Sequence, residues 1–198
     1  MTVSVRSNTV SEVDRGDRRL TAADLAAMPA DLPSGPVLYE LYEGELRLMT
    51  PPGGEHGSVE SQITYLLVAF GKMRGLGQSY GEVGIQLSSN PDTVVGADAA
   101  FILQDQFPVR MTPEGWLATI PALVVEVVSK NDSAPAVRRK VDLYLNAGVR
   151  LVWVVNPKTR TVTLHRRDSA PRVLTSVDTL SEPEMLPGLS YPVARLFE

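Results

Sequence analysis

The chain of 198 residues lacks cysteine, which excludes disulfides and thiolate metal sites. It has no apolar run close to the roughly 20 residues that a membrane-spanning helix needs. The first 20 residues are polar and charged, so the sequence shows no secretory signal. These absences predict a cytoplasmic protein without a membrane partner.

An overall positive charge is also missing. The formal net charge of −4 argues against a general nucleic-acid coat protein. The charge is uneven, because residues 126–172 hold ten Lys or Arg and four acids, which makes this segment +6 and the rest −10. Such a segment could face a phosphate backbone, or it could be an ordinary solvated surface. Composition alone leaves both interpretations open.

The length and an apolar content of 43% fit one domain with a sizeable core. We predict a flexible N-terminal arm over residues 1–20 and a single domain over residues 21–198.

Helical and strand patterns alternate along this domain. Thr21 and Asp24 form a capping pattern that predicts a short helix to about Met28. Residues 37–49 alternate around Glu43-Gly44 and predict a β-hairpin. Further helices are predicted from Val59 to the glycines at 75 and 77 and from Asp132-Ser133 to Gly148, and further strands at 81–87, 96–103, 122–128, 150–155 and 160–166, with one or two short strands in the tail 171–198. Strands separated by helices predict an α/β or α+β fold.

Two acids lie inside apolar strands. Glu126 sits in LVVEVV, where burial of an unpaired carboxylate is costly, so a cation, a lysine or a shifted pKa must compensate it. Asp98 lies in the apolar segment GADAAFI, where its carboxylate needs compensation in the same way. If the strands are neighbours, the carboxylates repel unless a divalent metal or a proton lies between them. Oxygen ligands favour magnesium or manganese, and the alternative is a structural acid paired with an arginine.

A lysine is the natural third member of this group. Lys140 shares a helix face with Val137 and Tyr144, so its ammonium could reach the sheet while its stem packs on apolar neighbours. The alternative is an ordinary lysine at the edge of a buried face. Lys130, in the loop after Glu126, is the competing candidate.

The ordered set of segments resembles the Uma2 family, within the PD-(D/E)XK restriction-endonuclease-like superfamily. The resemblance covers roughly residues 20–168. Its segments are YELYEGEL (39–46), the His56 turn before a helix, NPDTVVGADAAFI (90–102), PALVVEVVS (121–129) and RKVDLYLNAGVRLVWVVNPKTRTVTLHR (139–166). The order and spacing of the set carry the resemblance more than any one segment.

The resemblance implies a restriction-endonuclease-like core, with a mixed central β-sheet flanked by helices and preceded by an N-terminal helix and a β-hairpin. It implies that Asp98 and Glu126 hold a metal together with the backbone carbonyl of Val127. The superfamily lysine two residues after the acid is absent, because Val128 occupies that position. Lys140 matches the helical lysine of family members instead.

The sequence departs from the superfamily pattern at a second place. Ala97 replaces the proline before the aspartate, and Pro91-Asp92 lies in the turn upstream and is not the motif. Possible accessory residues are His56, Glu43, Glu60 and Lys130, and expected nucleic-acid contacts are Arg138 and Arg139. His56 could act as an acid or base, or it could be a structural contact at a helix end.

The resemblance implies hydrolysis of phosphodiester bonds in nucleic acid, with DNA as the expected substrate and Mg²⁺ or Mn²⁺ as the cofactor. Asp98, Glu126 and Lys140 are the expected catalytic residues, and analogy predicts a homodimer. The missing lysine at position 128 keeps a second interpretation open, in which a catalytically inactive nuclease fold binds or regulates nucleic acid. The negative net charge keeps a self-assembling protein open as well.

Overall fold

The computed structural model describes residues 19–32, 35–49 and 53–198. The arm predicted over residues 1–20 falls almost wholly on residues 1–18, which lie outside this part of the chain. Within the described ranges, none of the helices is long and apolar enough to cross a bilayer.

The N-terminal helix and hairpin form where the sequence predicts them. Helix α1 (Ala22–Ala26) begins with a capping box in which Thr21 and Asp24 each bind the other's backbone N–H. The hairpin turn places Glu43 at φ 52° and Gly44 at φ 80°, a conformation that favours glycine. The strands here are β1 (Asp31–Leu32), which pairs with β2 (Gly35–Pro36), and the hairpin strands β3 (Leu38–Tyr42) and β4 (Glu45–Met49).

Helix α2 (Gly54–Phe70) begins and ends earlier than predicted. It already contains His56, and it stops at Gly71 instead of reaching the glycines at 75 and 77. A Cβ at Gly71 would lie 2.4 Å from the Phe101 ring, so only glycine lets the helix end approach the sheet this closely. A 3₁₀ turn over Lys72–Arg74 follows.

The next two strands are longer than their patterns suggest. Strand β5 (Gly77–Ser88) pairs antiparallel with β6 (Thr93–Leu103) along nearly its whole length. The polar start of β5 gives no strand signal in the sequence. Its backbone is ordered by the neighbouring β6, because an extended partner offers hydrogen bonds whatever the side chains are.

The central segment follows the prediction closely. Strand β7 (Leu123–Val127) leads to α3 (Ala134–Ala147), which Ser133 caps at its start and Gly148 ends at φ 106°. Strands β8 (Leu151–Asn156) and β9 (Thr161–His165) come next. The tail holds three strands where one or two were predicted: β10 (Arg172–Leu174), β11 (Thr179–Glu182) and β12 (Leu186–Pro192).

A mixed and mostly antiparallel sheet organises the described part of the chain. Its order is β10-β9-β8-β7-β6-β3-β4, and β5 also pairs with β6. The parallel pair is β7 and β8, which α3 connects. This confirms the predicted mixed sheet with flanking helices.

Strand β7 is apolar throughout because both sheet faces are covered. Val125 and Val127 belong to a cluster with Ile63 and Leu67 of α2. Val124 belongs to a second cluster with Val141 and Tyr144 of α3, on the opposite face. The two helices therefore bury the sheet from both sides, and Glu126 points to the α3 face between them.

The sheet splits along one edge of β6. Val94 pairs with β3 on one side and with β5 on the other, while Ala99 pairs with β7 and β5. Strands β3 and β7 therefore lie along the same edge and leave a gap between them, opposite residues 95–98. Asp98 borders this gap.

Candidate active site

Side chains occupy the gap in the sheet. The backbone N–H of Gly96 donates to Oε1 of Glu40 at 2.9 Å, and the Gly96 carbonyl accepts from the Tyr144 hydroxyl at 2.9 Å. A neighbouring strand would normally satisfy both groups. Glu40 from β3 and Tyr144 from α3 replace that strand, and so polar side chains gather at the split.

Asp98 and Glu126 come from neighbouring antiparallel strands, as the sequence predicts. Ala99 is paired with Val125, so one further step of the same register sets Asp98 opposite Glu126. Oδ2 of Asp98 accepts the backbone N–H of Val127 at 2.5 Å. The negative charge of Asp98 is one of the causes that raise the pKa of Glu126. The two carboxyl groups are thus electrostatically coupled.

Glu126 is compensated by a lysine and a tyrosine. Its side chain accepts from Nζ of Lys140 at 2.8 Å and from the Tyr144 hydroxyl at 2.6 Å. Burial raises the pKa of Glu126 to about 7, although Lys140 and Tyr144 act in the opposite direction. The cation beside this acid is therefore a lysine, and not the arginine of the alternative interpretation.

The Tyr144 hydroxyl has one proton and two acceptors, the Gly96 carbonyl and Glu126. When it donates to Gly96, its short contact with Glu126 is a hydrogen bond only if Glu126 carries a proton. The raised pKa of Glu126 fits this arrangement.

Lys140 lies between two carboxylates. Its Nζ is 2.8 Å from Oε2 of Glu126 and 3.0 Å from Oε1 of Glu40. Burial acts to lower the pKa of Lys140, but Glu126 and Glu40 outweigh it and raise the pKa above its ordinary value. Lys140 is therefore a charged ammonium, and it reaches the sheet as its helical position predicts. Lys130 is exposed in the loop after β7.

Glu40 is the residue that sequence reasoning missed. Only 4% of it is exposed, and its Oε2 accepts from the Tyr42 hydroxyl at 2.8 Å. The criterion that identified Glu126, an acid inside an apolar strand, applies equally to LYELY and could have found it. The hairpin pattern concealed this signal, because alternation of polar and apolar residues made Glu40 look like an ordinary outward-facing residue.

His56 and Glu60 approach Asp98 from the first turns of α2. His56 lies inside the helix and not before it, with its Nε2 at 3.3 Å from Oδ2 of Asp98. The hydrogen bond to Asp98 raises the pKa of His56 although burial lowers it. Burial, with Asp98 and Glu82 nearby, raises the pKa of Glu60 to about 7. Oε2 of Glu60 is 3.9 Å from Nδ1 of His56.

The remaining candidates lie further out. Glu43 is an exposed turn residue whose backbone N–H donates to Thr93. Arg139 is exposed, and its guanidinium lies 5.2 Å from the centre of the Tyr42 ring. Arg138 is exposed on the same helix, close enough to His165 to act on its pKa.

Asp92, which was set aside in the sequence, serves the fold. Its carboxylate accepts the backbone N–H groups of Ala22 at 2.7 Å and Asn90 at 3.1 Å. It therefore joins the start of α1 to the β5–β6 turn, which agrees with its exclusion from the motif.

The gap opens into a cleft of about 790 Å³. Its charged end carries the carboxyl groups of Asp98, Glu126 and Glu40 together with Lys140. Arg139 lines it as well, together with many apolar side chains. The cleft is large enough to receive a substrate beside the carboxylates.

The available ligands suit magnesium, which needs few protein ligands, better than a metal ion that protein side chains must surround. Across the described ranges, no three or more His, Cys, Asp or Glu side chains are arranged to hold a metal. Asp98 and Glu126 offer hard carboxylate oxygens, and one or two carboxylates suffice for Mg²⁺, which keeps several of its waters. Zinc sites, in contrast, need three or four protein ligands.

Comparison with known proteins agrees with this architecture. No curated protein matches the chain. A crystal structure described as "a putative nuclease belonging to DUF820 from Anabaena variabilis" is similar, with a TM-score of 0.73 and 18% identity over 90% of this chain and 97% of that one. This likeness shows the fold. The Uma2 family, described as "Putative restriction endonuclease", matches residues 23–194. The match spans most of the sequence, and the chain therefore belongs to the Uma2 family.

Proposed function

We propose that the chain is a magnesium-dependent endonuclease that hydrolyses phosphodiester bonds in nucleic acid, with DNA as the expected substrate. One observation carries the proposal. Asp98 lies close enough to Glu126 for its charge to raise the pKa of Glu126, and Glu126 accepts from the ammonium of Lys140, in one cleft of a fold similar to that of a described nuclease.

Asp98, Glu126 and the carbonyl of Val127 would hold the metal. When bound, Mg²⁺ would activate a water and stabilise the negative charge that develops on the phosphate. Both carboxylates are already ordered before any metal binds, Asp98 by the Val127 N–H and Glu126 by Lys140 and Tyr144. Such preorganisation lowers the free energy needed to assemble the site.

Lys140 supplies the positive charge that the chain lacks at position 128. Its pKa lies above the ordinary value, so it remains charged at neutral pH and can stabilise charge on a phosphate in the cleft. The contact between Lys140 and Glu126 supports catalysis over the inactive alternative, because the missing strand lysine is replaced in space by a helical one.

The outer residues suit substrate binding. Arg138 and Arg139 are exposed near the start of α3, and Arg139 lines the cleft, so both can contact phosphates. His56 is placed beside Asp98, where it can hold or release a proton near the reacting phosphate. The homodimer and the cytoplasmic location stay predictions.

A cleavage panel with purified protein tests the proposal. We expect cleavage of plasmid DNA, linear duplex, single-stranded DNA or RNA in Mg²⁺ or Mn²⁺, and none in EDTA. Salt-dependent binding of these nucleic acids with no cleavage in either metal would instead support the inactive binding module. Absence of both binding and cleavage would support the self-assembling alternative.

A further inference from the structure

Glu40 is a third carboxylate at the candidate site, buried like Glu126, and the proposed reaction does not use it. Its Oε1 accepts from Lys140 at 3.0 Å and from the Gly96 N–H at 2.9 Å, and its Oε2 accepts from Tyr42 at 2.8 Å. A carboxylate that is only 4% exposed is costly to keep, because burial removes its solvation. Hydrogen bonds from Gly96 and Tyr42 and the ammonium of Lys140 offset this cost.

Glu40 and Glu126 hold Lys140 in matching ways. One oxygen of each carboxylate lies next to Nζ of Lys140, at 3.0 Å for Glu40 and at 2.8 Å for Glu126. The other oxygen of each carboxylate contacts a tyrosine hydroxyl, that of Tyr42 for Glu40 and that of Tyr144 for Glu126. The ammonium is therefore shared between two acids and does not belong to Glu126 alone.

The charges around the gap sum to a value that suits a divalent cation. Glu40, Asp98 and Glu126 contribute −3 when ionised and Lys140 contributes +1, which leaves −2. His56 and Glu60 lie beside Asp98, with Nε2 of His56 3.3 Å from Oδ2 of Asp98 and Nδ1 of His56 3.9 Å from Oε2 of Glu60. They add nothing to this sum when both are charged or both are neutral.

We propose that Glu40 is a positioning residue that balances the charge of Lys140, so that Asp98 and Glu126 keep two negative charges for the cation. The inference rests on the proposed function, because it concerns the same cation site. Without the charge of Glu40, Lys140 has only Glu126 as its anionic partner. A cation must then compete with the ammonium for Glu126, and the site keeps a net charge of −1.

Calorimetric titration of the full chain with Mn²⁺ tests this charge balance. Glu40→Gln keeps the size and hydrogen-bonding capacity of the side chain, and we expect it to raise the Kd for Mn²⁺ about tenfold or more. Lys140→Met removes the positive charge, which makes the sum −3, and it should bind Mn²⁺ about tenfold more tightly than the wild type. The double variant Glu40→Gln/Lys140→Met restores a net charge of −2, so its Kd should return to within about threefold of the wild-type value.

The matched control is Glu45→Gln, which removes an exposed carboxylate of the same hairpin that pairs with Arg47. We expect it to leave the Kd unchanged, and thermal melting shows whether each variant is folded. If Glu40→Gln alone does not fold, a comparison of Lys140→Met with the double variant still tests the inference. The double variant should bind Mn²⁺ about tenfold more weakly than Lys140→Met.

An unchanged Kd in Glu40→Gln, or a double variant as weak as Glu40→Gln, would overturn the inference and leave Glu40 a structural residue. Wild-type protein that binds no Mn²⁺ would also overturn it. Failure of the proposed function has a different signature, namely Mn²⁺ binding with the expected order among the variants but no cleavage of any nucleic acid.

Discussion

Replacement of Asp98 by asparagine or of Glu126 by glutamine is expected to lower the rate of nucleic-acid cleavage by about three orders of magnitude. Each change removes one of the two negative charges that would hold the cation, and keeps the size of the side chain. The amide that replaces the Glu126 carboxylate can still accept a hydrogen bond from Tyr144, and Lys140 keeps Glu40 as a partner. The loss should therefore come from the chemistry and not from unfolding. Single-turnover cleavage in Mg²⁺ measures it.

Glu45→Gln serves as the matched control here as well, because Glu45 is exposed on β4 and pairs only with the exposed Arg47 among the described residues. Its cleavage rate should equal that of the wild type. Cleavage that persists at the wild-type rate in both Asp98→Asn and Glu126→Gln would remove these acids from the mechanism.

Lys140→Met is expected to lower the free energy of unfolding by about 3–5 kcal/mol at pH 8 in the presence of EDTA. The change keeps the apolar stem of the side chain but leaves Glu126 and Glu40 buried without their shared cation. Breaking a buried ion pair from one side is costly because the remaining charge has lost its water and its partner. Urea unfolding of the two proteins measures the difference.

The stability deficit of Lys140→Met should shrink as the pH falls from 8 towards and through 7. Burial raises the pKa of Glu126 in the folded protein to about 7, above its ordinary value of 4.5. Between these values the folded state binds more protons than the unfolded state, so the contribution of Glu126 to stability falls as the pH rises through this window. Removal of Lys140 takes away an interaction that lowers this pKa, so Glu126 of the variant takes up its proton at a higher pH than Glu126 of the wild type. The deficit therefore shrinks as the pH falls and levels off once Glu126 is protonated in both proteins.

Lys130→Met is the matched control, since Lys130 is exposed in the loop after β7. Its stability should lie within about 0.5 kcal/mol of the wild type at both pH values. Equal stability of Lys140→Met and wild type at pH 8 would mean that Lys140 does not compensate the buried acids.

Local signals in the sequence predict most of the helices and strands. The pairing of Thr21 with Asp24, the turn at Glu43-Gly44 and the serine cap at Ser133 act within a few residues, so they survive in the folded chain. The β-branched run of β7 predicts a strand buried on both faces, and α2 and α3 cover it. Asp98 and Glu126 stand out because each is an acid inside such an apolar strand.

The parts that escape prediction depend on partners far away in the chain. The polar start of β5 is a strand because β6 lies beside it. Helix α2 ends at Gly71 because Phe101, thirty positions further along the chain, packs against it. The split of the sheet between β3 and β7 has no local signature, because it arises from two strands that share one edge of β6.

Within the candidate site, Glu40 likewise could not be predicted from its local sequence, because its role depends on distant residues. The acid is visible in LYELY, but its burial depends on Lys140, which lies a hundred residues away, and on the Gly96 N–H exposed by the split. Sequence reasoning reached Lys140 from its helical spacing and Glu126 from its strand. It missed Glu40 because the hairpin pattern offers a sufficient local explanation for a polar residue there.

The proposed active site requires Asp98 and Glu126 to share one divalent cation. Anomalous diffraction from a crystal soaked in Mn²⁺ tests it most directly. We expect one strong anomalous peak between the two carboxylates, within about 2.3 Å of an oxygen of each. A peak bound elsewhere, or none between them at saturating Mn²⁺ with Lys140 still bridging Glu126 and Glu40, would contradict it.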